Sequence, residues 1–183
     1  MRYNNYFIDF LTVNSNAFAY VKKQYPVKMN AYNQRVGKLL THRICQIFKK
    51  LGYKTWMNPL QGNGVDIKVW RNGYLLLVGE VLNWSIGSRL SEKRYENIVN
   101  NLSEYNCSKV LIYTTLEEDY VEKFRSKGII TLEIGYQLLP KVFYNFFKEK
   151  GQVTKRKIDS SQTSQDIENK LSELITLVKK KKD

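Results

Sequence analysis

The chain has 183 residues, a length that supports one domain with a sizeable core and rarely two. It carries 30 Lys and Arg against 17 Asp and Glu, so its formal net charge is +13 and its pI is near 9.6. This excess favours a polyanionic partner over a small neutral ligand. No segment is apolar enough to span a membrane, and the N-terminus is too polar for a secretory signal. We therefore expect a cytoplasmic protein.

Hydrophobic periodicity predicts a core domain over residues 30–150. Its elements, in chain order, are a helix (33–51), a strand (53–57), a hairpin (64–70 and 74–81), a helix (91–105), a strand (109–114), a helix (117–127) and a strand (129–133). A further helix is predicted from Pro140 to residue 150, ended by Gly151. Its aromatic stripe is expected to pack on the sheet or to form a dimer face.

The remaining segments are predicted to be additions to this domain. Residues 1–29 contain short aromatic clusters that predict one or two small helices, and residues 151–162 have the polar composition of a linker. Residues 163–183 predict an amphipathic helix with a basic tail. Its apolar stripe consists of Ile167, Leu171, Leu174, Ile175 and Val178. Because an isolated helix must bury such a stripe, we expect it to pair with a second subunit in a homodimer.

The hairpin carries one carboxylate on each strand, and its register decides whether they meet. A two-residue turn at Asn72-Gly73 would point Asp66 and Glu80 to opposite faces. A three-residue loop over residues 71–73 would place Asp66 opposite Val78 and both acids on one face. The second register also gathers the apolar residues on the other face, so the pattern favours it. That apolar set is Val65, Ile67, Val69, Leu75, Leu77 and Val81.

Two neighbouring carboxylates repel each other unless a cation or a proton lies between them. The shared face therefore predicts a site for a hard divalent metal. The alternative is a pair of acids on a solvated face. Cys45 and Cys107 lack the spacing of a zinc motif, and the sequence contains no phosphate-binding loop or dinucleotide fingerprint, so no organic cofactor is expected.

The order α-β-β-β-α-β, with Gly-Val-Asp ending at Asp66 and Glu-Val beginning at Glu80, resembles the PD-(D/E)XK nuclease superfamily. Within it, the chain looks most like archaeal Holliday-junction resolvases and the small nucleases of archaeal viruses. The resemblance implies an α/β, restriction-endonuclease-like core with a mixed central sheet flanked by helices, followed here by the C-terminal helix. It also implies an Mg-dependent deoxyribonuclease, in the host cytoplasm if the source is viral, whose Mg²⁺ or Mn²⁺ is held by Asp66, Glu80 and the carbonyl of Val81. The Lys that assists the attacking water in this family falls at Leu82.

Catalysis without that Lys needs another group to stabilise the charge that builds on the phosphate. Arg89 and Lys93 follow the strand of Glu80 and are the preferred catalytic candidates; the alternative is that they face solvent or contact phosphates. Lys68 is expected nearer the turn, as a solvated strand residue. Asn83 is either a neutral donor in place of the Lys or the residue that ends the strand.

The first predicted helix is strongly basic, and the sequence has no acidic residue between Asp9 and Asp66. Its basic stripe, opposite the apolar face, consists of Arg35, Lys38, His42 and Lys49. The stripe predicts contacts with DNA phosphates; the alternative is an ordinary solvated face. Many relatives have an acidic third metal ligand on this helix. Here Gln34 and Thr41 are the candidates for a weaker oxygen ligand in its place, which favours one-metal chemistry.

Three functions are compatible with these features. The first is a metal-dependent DNA endonuclease, acting on branched or junction DNA as a symmetric dimer. The second is a DNA-binding protein that retains the nuclease fold without catalysis, for which Leu82 argues. The third is an assembly protein that works through its C-terminal helix. We favour the first, because a non-catalytic protein has no need to keep both Asp66 and Glu80 on one face.

Overall fold

The structure, a computed structural model, describes residues 5–9, 26–59, 64–84, 88–140 and 160–180. Its helices are α1 (Pro26–Lys50), α2 (Glu92–Ser103), α3 (Glu118–Ser126) and α4 (Ser160–Lys180). Its strands are β1 (Asn5–Asp9), β2 (Lys54–Met57), β3 (Ile67–Arg71), β4 (Tyr74–Leu82), β5 (Ser108–Tyr113), β6 (Ile130–Glu133) and β7 (Tyr136–Pro140). Among the helices of these ranges, none combines the length and the apolar character that a membrane span requires.

A mixed five-stranded sheet in the order β2-β3-β4-β5-β6 lies at the centre of the domain. Strands β2, β3 and β4 are antiparallel, whereas β4, β5 and β6 are parallel and are connected through α2 and α3. The predicted α/β class is confirmed, with a mixed sheet, flanking helices and a C-terminal helix.

Helices cover both faces of this sheet, and the alternation of side chains along the strands supplies an apolar core to each. We call the face covered by α1 and α4 the first face; it receives Ile67, Val69, Leu77 and Val81. The second face, covered by α2 and α3, receives Val78, Leu82 and Leu111. Strand β4 is therefore buried on both sides, which explains its long apolar run.

The ends of the chain differ from the prediction. Strand β1 pairs antiparallel with β7 in a small second sheet, so the small helices predicted in residues 1–29 are wrong for residues 5–9. Helix α1 begins at Pro26 rather than at residue 33. Pro140 ends β7 instead of beginning a helix. The rest of that predicted helix, with its aromatic stripe, and residues 151–159 of the predicted linker lie outside the described residues.

Helix α4 buries its apolar stripe in its own chain. All five stripe residues belong to the core of the first face, where α4 packs beside α1. Lys50 Nζ lies 2.6 Å from Glu168 Oε2, and Lys170 Nζ donates to the carbonyl of Ile134 at 2.9 Å. The expectation that this helix needs a second subunit is therefore wrong, because the domain itself supplies the apolar surface. A homodimer stays a prediction, without this support.

The β3–β4 hairpin does not have the predicted register. Its turn consists of two residues, Asn72 and Gly73, whose φ angles of 51° and 83° are those of a type I′ turn. Val69 pairs with Leu77 but Trp70 pairs with Leu75, so a bulge inserts one extra residue into β4. The three-residue loop and the pairing of Asp66 with Val78 are wrong.

We expect Leu171→Ala to lower the free energy of unfolding by about 2–5 kcal/mol, because it removes buried methyl groups from the core of the first face. Leu177 on the same helix is 53% exposed, so Leu177→Ala is a matched control that should change this free energy by less than about 0.5 kcal/mol. Urea denaturation followed by circular dichroism measures both. A midpoint for Leu171→Ala that equals that of the parent would contradict the packing described here.

Candidate active site

Asp66 lies just before β3, and Glu80 lies near the end of β4. Ile67 pairs with Gly79, and the amide of Asp66 donates to the carbonyl of Gly79 at 3.0 Å, so the two acids are neighbours across the two strands. The two carboxyl groups are hydrogen-bonded to each other, and Glu80 is only 1% exposed. The structure therefore brings the two acids together, although a bulge does so and not the predicted loop.

Two carboxyl groups in contact within the protein cannot both be ionised without a large electrostatic penalty. Burial, and secondly the charge of Asp66, raise the pKa of Glu80 from 4.5 to about 8. Burial also raises the pKa of Asp66, against the opposing effects of the Val81 amide and of the hydrogen bond with Glu80. At neutral pH Glu80 therefore keeps its proton and donates it to Asp66. This shared proton has the effect that a bound cation would have, because it removes the repulsion between two ionised carboxyl groups.

Backbone and side-chain donors hold the pair in place. The amide of Val81 donates to Asp66 Oδ2 at 2.8 Å. Asn101 Nδ2 lies 3.1 Å from Glu80 Oε1 and 3.2 Å from the carbonyl of Gly64, the second residue before Asp66. One amide group on α2 thus connects β4 to the segment that precedes β3, and it fixes the distance between the two acids.

Helix α2 also supplies a cation. Arg94 Nη2 lies 3.4 Å from Glu80 Oε2, and 37% of the Arg94 side chain is exposed to solvent. The helix begins after Ser91, whose Oγ accepts a hydrogen bond from the amide of Arg94 at 3.3 Å. Arg94 and Asn101 are seven residues apart and share a face of the helix with the buried Ile98.

Sequence reasoning missed both of these residues. The signal was present, since Arg94 and Asn101 lie four residues before and three after the inward-facing Ile98. Arg89 and Lys93, the predicted cations, are exposed, and in the described part of the chain neither contacts a carboxylate of the pair. Lys93 is turned by about 100° from Arg94 on the helix, which takes it off the inward face. The cation beside Glu80 is therefore Arg94.

Lys68 and Asn83, the accessory candidates in and beside the hairpin, do not lie in the surroundings that were predicted for them. Lys68 pairs with Val78, not Leu76, so it lies two residues from each acid along its strand. Its Nζ lies near two aromatic rings and is not simply solvated. Asn83 is buried and exchanges two hydrogen bonds with the backbone of Leu138, at 2.9 and 3.0 Å. It joins β4 to β7 on the opposite face from Glu80, so a role in place of the family's Lys is wrong.

The predicted basic stripe of α1 is only partly described. His42 and Lys49 are exposed, and the side chain of Arg35 lies outside the described part. Lys38 is the stripe residue whose charge acts on the site: it lowers the pKa of Asp66, although burial raises that pKa more.

The weaker oxygen ligands predicted on α1 receive no support. The side chain of Gln34 lies outside the described part, and Thr41 is buried, with its Oγ1 3.5 Å from the carbonyl of Gly37 in its own helix. Burial raises the pKa of the Cys45 thiol to about 11, so it is not an available thiolate. Among the residues that the structure describes, no three His, Cys, Asp or Glu side chains cluster as metal ligands.

Comparisons with known proteins assign no family. No protein-family model matches the chain, and no curated protein matches it. A solved structure, the crystal structure of a protein of unknown function called AF1548, is similar with a TM-score of 0.41 and 16% sequence identity. The similarity covers 77% of this chain and 95% of that chain. It is too distant to carry any property from one protein to the other.

We expect the metal-free protein to lose stability as pH rises through about 8, because the pKa of Glu80 is higher in the folded state than its ordinary 4.5. Between pH 4.5 and about pH 8 the folded state binds more protons than the unfolded state does. The contribution of Glu80 to the free energy of unfolding is therefore complete below pH 4.5 and is lost above about pH 8. Glu80→Gln keeps the shape but removes the titration. Melting temperatures in EDTA between about pH 5 and about pH 9 should therefore fall more steeply for the parent than for Glu80→Gln. Parallel curves would show that Glu80 titrates normally.

Proposed function

We propose that the chain is a metal-dependent DNA endonuclease of the PD-(D/E)XK type that hydrolyses phosphodiester bonds. The observation that carries this proposal is the buried contact between Asp66 and Glu80. Buried acids in contact destabilise a fold unless a proton or a cation compensates them. Because the acids do not stabilise the fold, their presence indicates a functional role.

The donors fit one hard divalent cation. Mg²⁺ and Mn²⁺ prefer oxygen ligands, and Asp66, Glu80 and the carbonyl of Val81 would supply them. Binding would displace the proton that the two acids share, because ligands must be deprotonated. Since the described residues offer no third acid at the site, the donor set supports one metal ion and not two.

A metal bound there would supply an activated water and polarise the phosphate. The protein's own residues would do the rest. Asn101 keeps Glu80 oriented, and the partly exposed Arg94 would contact a phosphate, for which a guanidinium is well suited. Leu82 is buried in the core of the second face, so the position of the family's Lys contributes no charge.

The charge of the protein supports DNA as the partner. The net charge of +13 favours a polyanion, and Lys38 brings a charge of the basic stripe of α1 close enough to lower the pKa of Asp66. A phosphate backbone that follows this stripe would reach Asp66 and Glu80. The homodimer and the preference for branched or junction DNA remain predictions from the resemblance.

A DNA-binding protein without catalysis is the second candidate. The guanidinium of Arg94, which lies beside Glu80, partly compensates the remaining negative charge of the acid pair without a metal, and Leu82 replaces the catalytic Lys of the family. The third hypothesis, an assembly protein that works through its C-terminal helix, is not supported, because α4 buries its apolar stripe in its own domain.

Isothermal titration with Mn²⁺ should show one binding site in the parent and none in Asp66→Ala. Because the pair holds a proton at neutral pH, titrations in buffers of different ionisation enthalpy should show release of about one proton per metal ion. The affinity should rise with pH up to about 8. Glu96→Ala, which removes an exposed acid from α2, is the matched control and should bind as the parent does. Equal heats for the parent and Asp66→Ala would exclude the site.

Cleavage assays on linear, flapped and four-way-junction DNA test the activity itself. We expect cleavage with Mg²⁺ or Mn²⁺ that stops in EDTA and in Asp66→Ala. Arg94→Ala should reduce the rate by roughly two orders of magnitude while metal binding survives, because it removes one electrostatic stabiliser.

Arg89→Ala and Lys93→Ala distinguish the cation seen beside Glu80 from the cations predicted by sequence. A larger loss in either of them than in Arg94→Ala would show that the reacting phosphate lies over a different part of α2. A parent that binds Mn²⁺ and DNA but cuts none of the three substrates would favour the second candidate.

A further inference from the structure

Two tryptophans and two lysines alternate on the outer part of the second face. Strand β2 pairs with β3 so that Lys54 lies opposite Trp70 and Trp56 lies opposite Lys68. All four residues belong to the second face, because the residues that alternate with them are packed toward α1. We call these four residues the Trp–Lys surface.

The rings and the ammonium groups of this surface are in contact and partly open to solvent. Lys54 Nζ lies 5.9 Å from the centroid of the Trp70 ring, and Lys68 Nζ lies 5.0 Å from that of Trp56. Trp56 is 39% exposed, and it lies on β2, the edge strand of the sheet. Tyr105, at the end of α2, approaches Lys68 Nζ to 4.8 Å from the other side.

The Trp–Lys surface continues directly into the acid pair. Lys68 and Trp70 follow Asp66 by two and four residues on the same face, at about 7 and about 13 Å along the strand. Helix α2 borders both sites, since Asn101 contacts Glu80 and Tyr105, one turn later, contacts Lys68. A ligand lying along β3 would therefore reach the acids without leaving the surface.

A purely structural role explains only part of this arrangement. Cation–π contacts between neighbouring strands stabilise a hairpin, and lysines protect an edge strand from aggregation. An exposed tryptophan on an edge strand works against that protection. Two of the three tryptophans in the sequence are on this surface. Aromatic rings that alternate with cations suit unpaired nucleotides, whose bases stack while their phosphates pair with lysines; the bases of a duplex are already stacked on each other.

We propose that the Trp–Lys surface binds single-stranded DNA and guides it to Asp66 and Glu80. Bases stack on Trp56 and Trp70, and Lys54 and Lys68 contact the phosphates. The proposal rests on the proposed nuclease function and adds a substrate class to it: DNA with an unpaired segment beside the cleaved bond. The binding step uses neither the metal nor the acids, so it can be tested separately from cleavage.

Fluorescence anisotropy in EDTA provides the test, with a labelled thymidine oligonucleotide of about ten residues and an abasic strand of the same length. The parent should bind the thymidine strand more tightly, because only that strand has bases to stack. Trp56→Ala and Trp70→Ala should each weaken binding of the thymidine strand by roughly five- to one-hundred-fold and leave the abasic strand unaffected. Trp56→Phe, which retains a stacking ring, should recover most of the affinity.

Two further variants separate stacking from charge and from general exposure. Tyr74 is 78% exposed at the turn of the same hairpin but lies outside the Trp–Lys surface, so Tyr74→Ala should bind both strands as the parent does. Changing Lys54 and Lys68 together to Gln should make the slope of log K against log salt shallower by about 0.7 per phosphate contact.

Equal affinity of the parent for the thymidine and abasic strands would overturn the proposal. So would parent-like binding in both Trp→Ala variants, or an equal effect of these variants on a duplex of the same length. A parent that binds the thymidine strand through both tryptophans but cuts no DNA would support this inference and contradict the proposed function. Cleavage of linear and flapped DNA that is unchanged in Trp56→Ala and Trp56→Phe would contradict this inference and leave the proposed function intact.

Discussion

The contact between the carboxyl groups of Asp66 and Glu80 is the interaction on which the rest of this site depends. The sheet places both acids in a buried position, where burial and then the charge of Asp66 raise the pKa of Glu80 to about 8. The neighbouring groups stabilise the remaining negative charge of the acid pair. The amide of Val81 donates to Asp66, and α2 brings Asn101 and Arg94 to Glu80. The proton, the guanidinium and a divalent cation are alternative ways to compensate the same two charges, and they differ in what chemistry they permit.

The sequence predicted which face the acids share but not how the hairpin puts them there. Its apolar residues alternate with a period of two, and this period distinguishes only the two faces of a strand. A three-residue loop and a two-residue turn followed by a bulge both shift the pairing by one residue, in opposite directions, and therefore give the same face to Ile67, Val69, Leu77 and Val81. The prediction is wrong for Val65 and Leu75, which pack on the second face. Only the bulge pairs Ile67 with Gly79 and Lys68 with Val78, and thereby brings Asp66 to Glu80. The Asn72-Gly73 dipeptide indicates a two-residue turn, but no local sequence pattern indicates the bulge that follows it in β4.

The cation beside Glu80 was predicted at the wrong residues, because neighbouring residues on a helix point in directions about 100° apart. Lys93 and Arg94 are adjacent in sequence, yet only Arg94 is brought to Glu80, by a helix that begins after Ser91 and turns Ile98 inward. The apolar stripe of α4 likewise indicated that this face of the helix must be buried, but it did not indicate which surface covers it. Its partners, in α1 and the first face of the sheet, are distant in sequence, and the same stripe would fit a second subunit equally well.

We propose that the two acids hold one divalent cation in place of their shared proton. Anomalous diffraction from crystals soaked in Mn²⁺ at a pH above the pKa of Glu80 measures this directly. We expect one strong peak between the carboxyl groups of Asp66 and Glu80, near the carbonyl of Val81, and no such peak in crystals of Asp66→Ala. A map of the parent without density there, with the two carboxyl groups still hydrogen-bonded to each other, would contradict it.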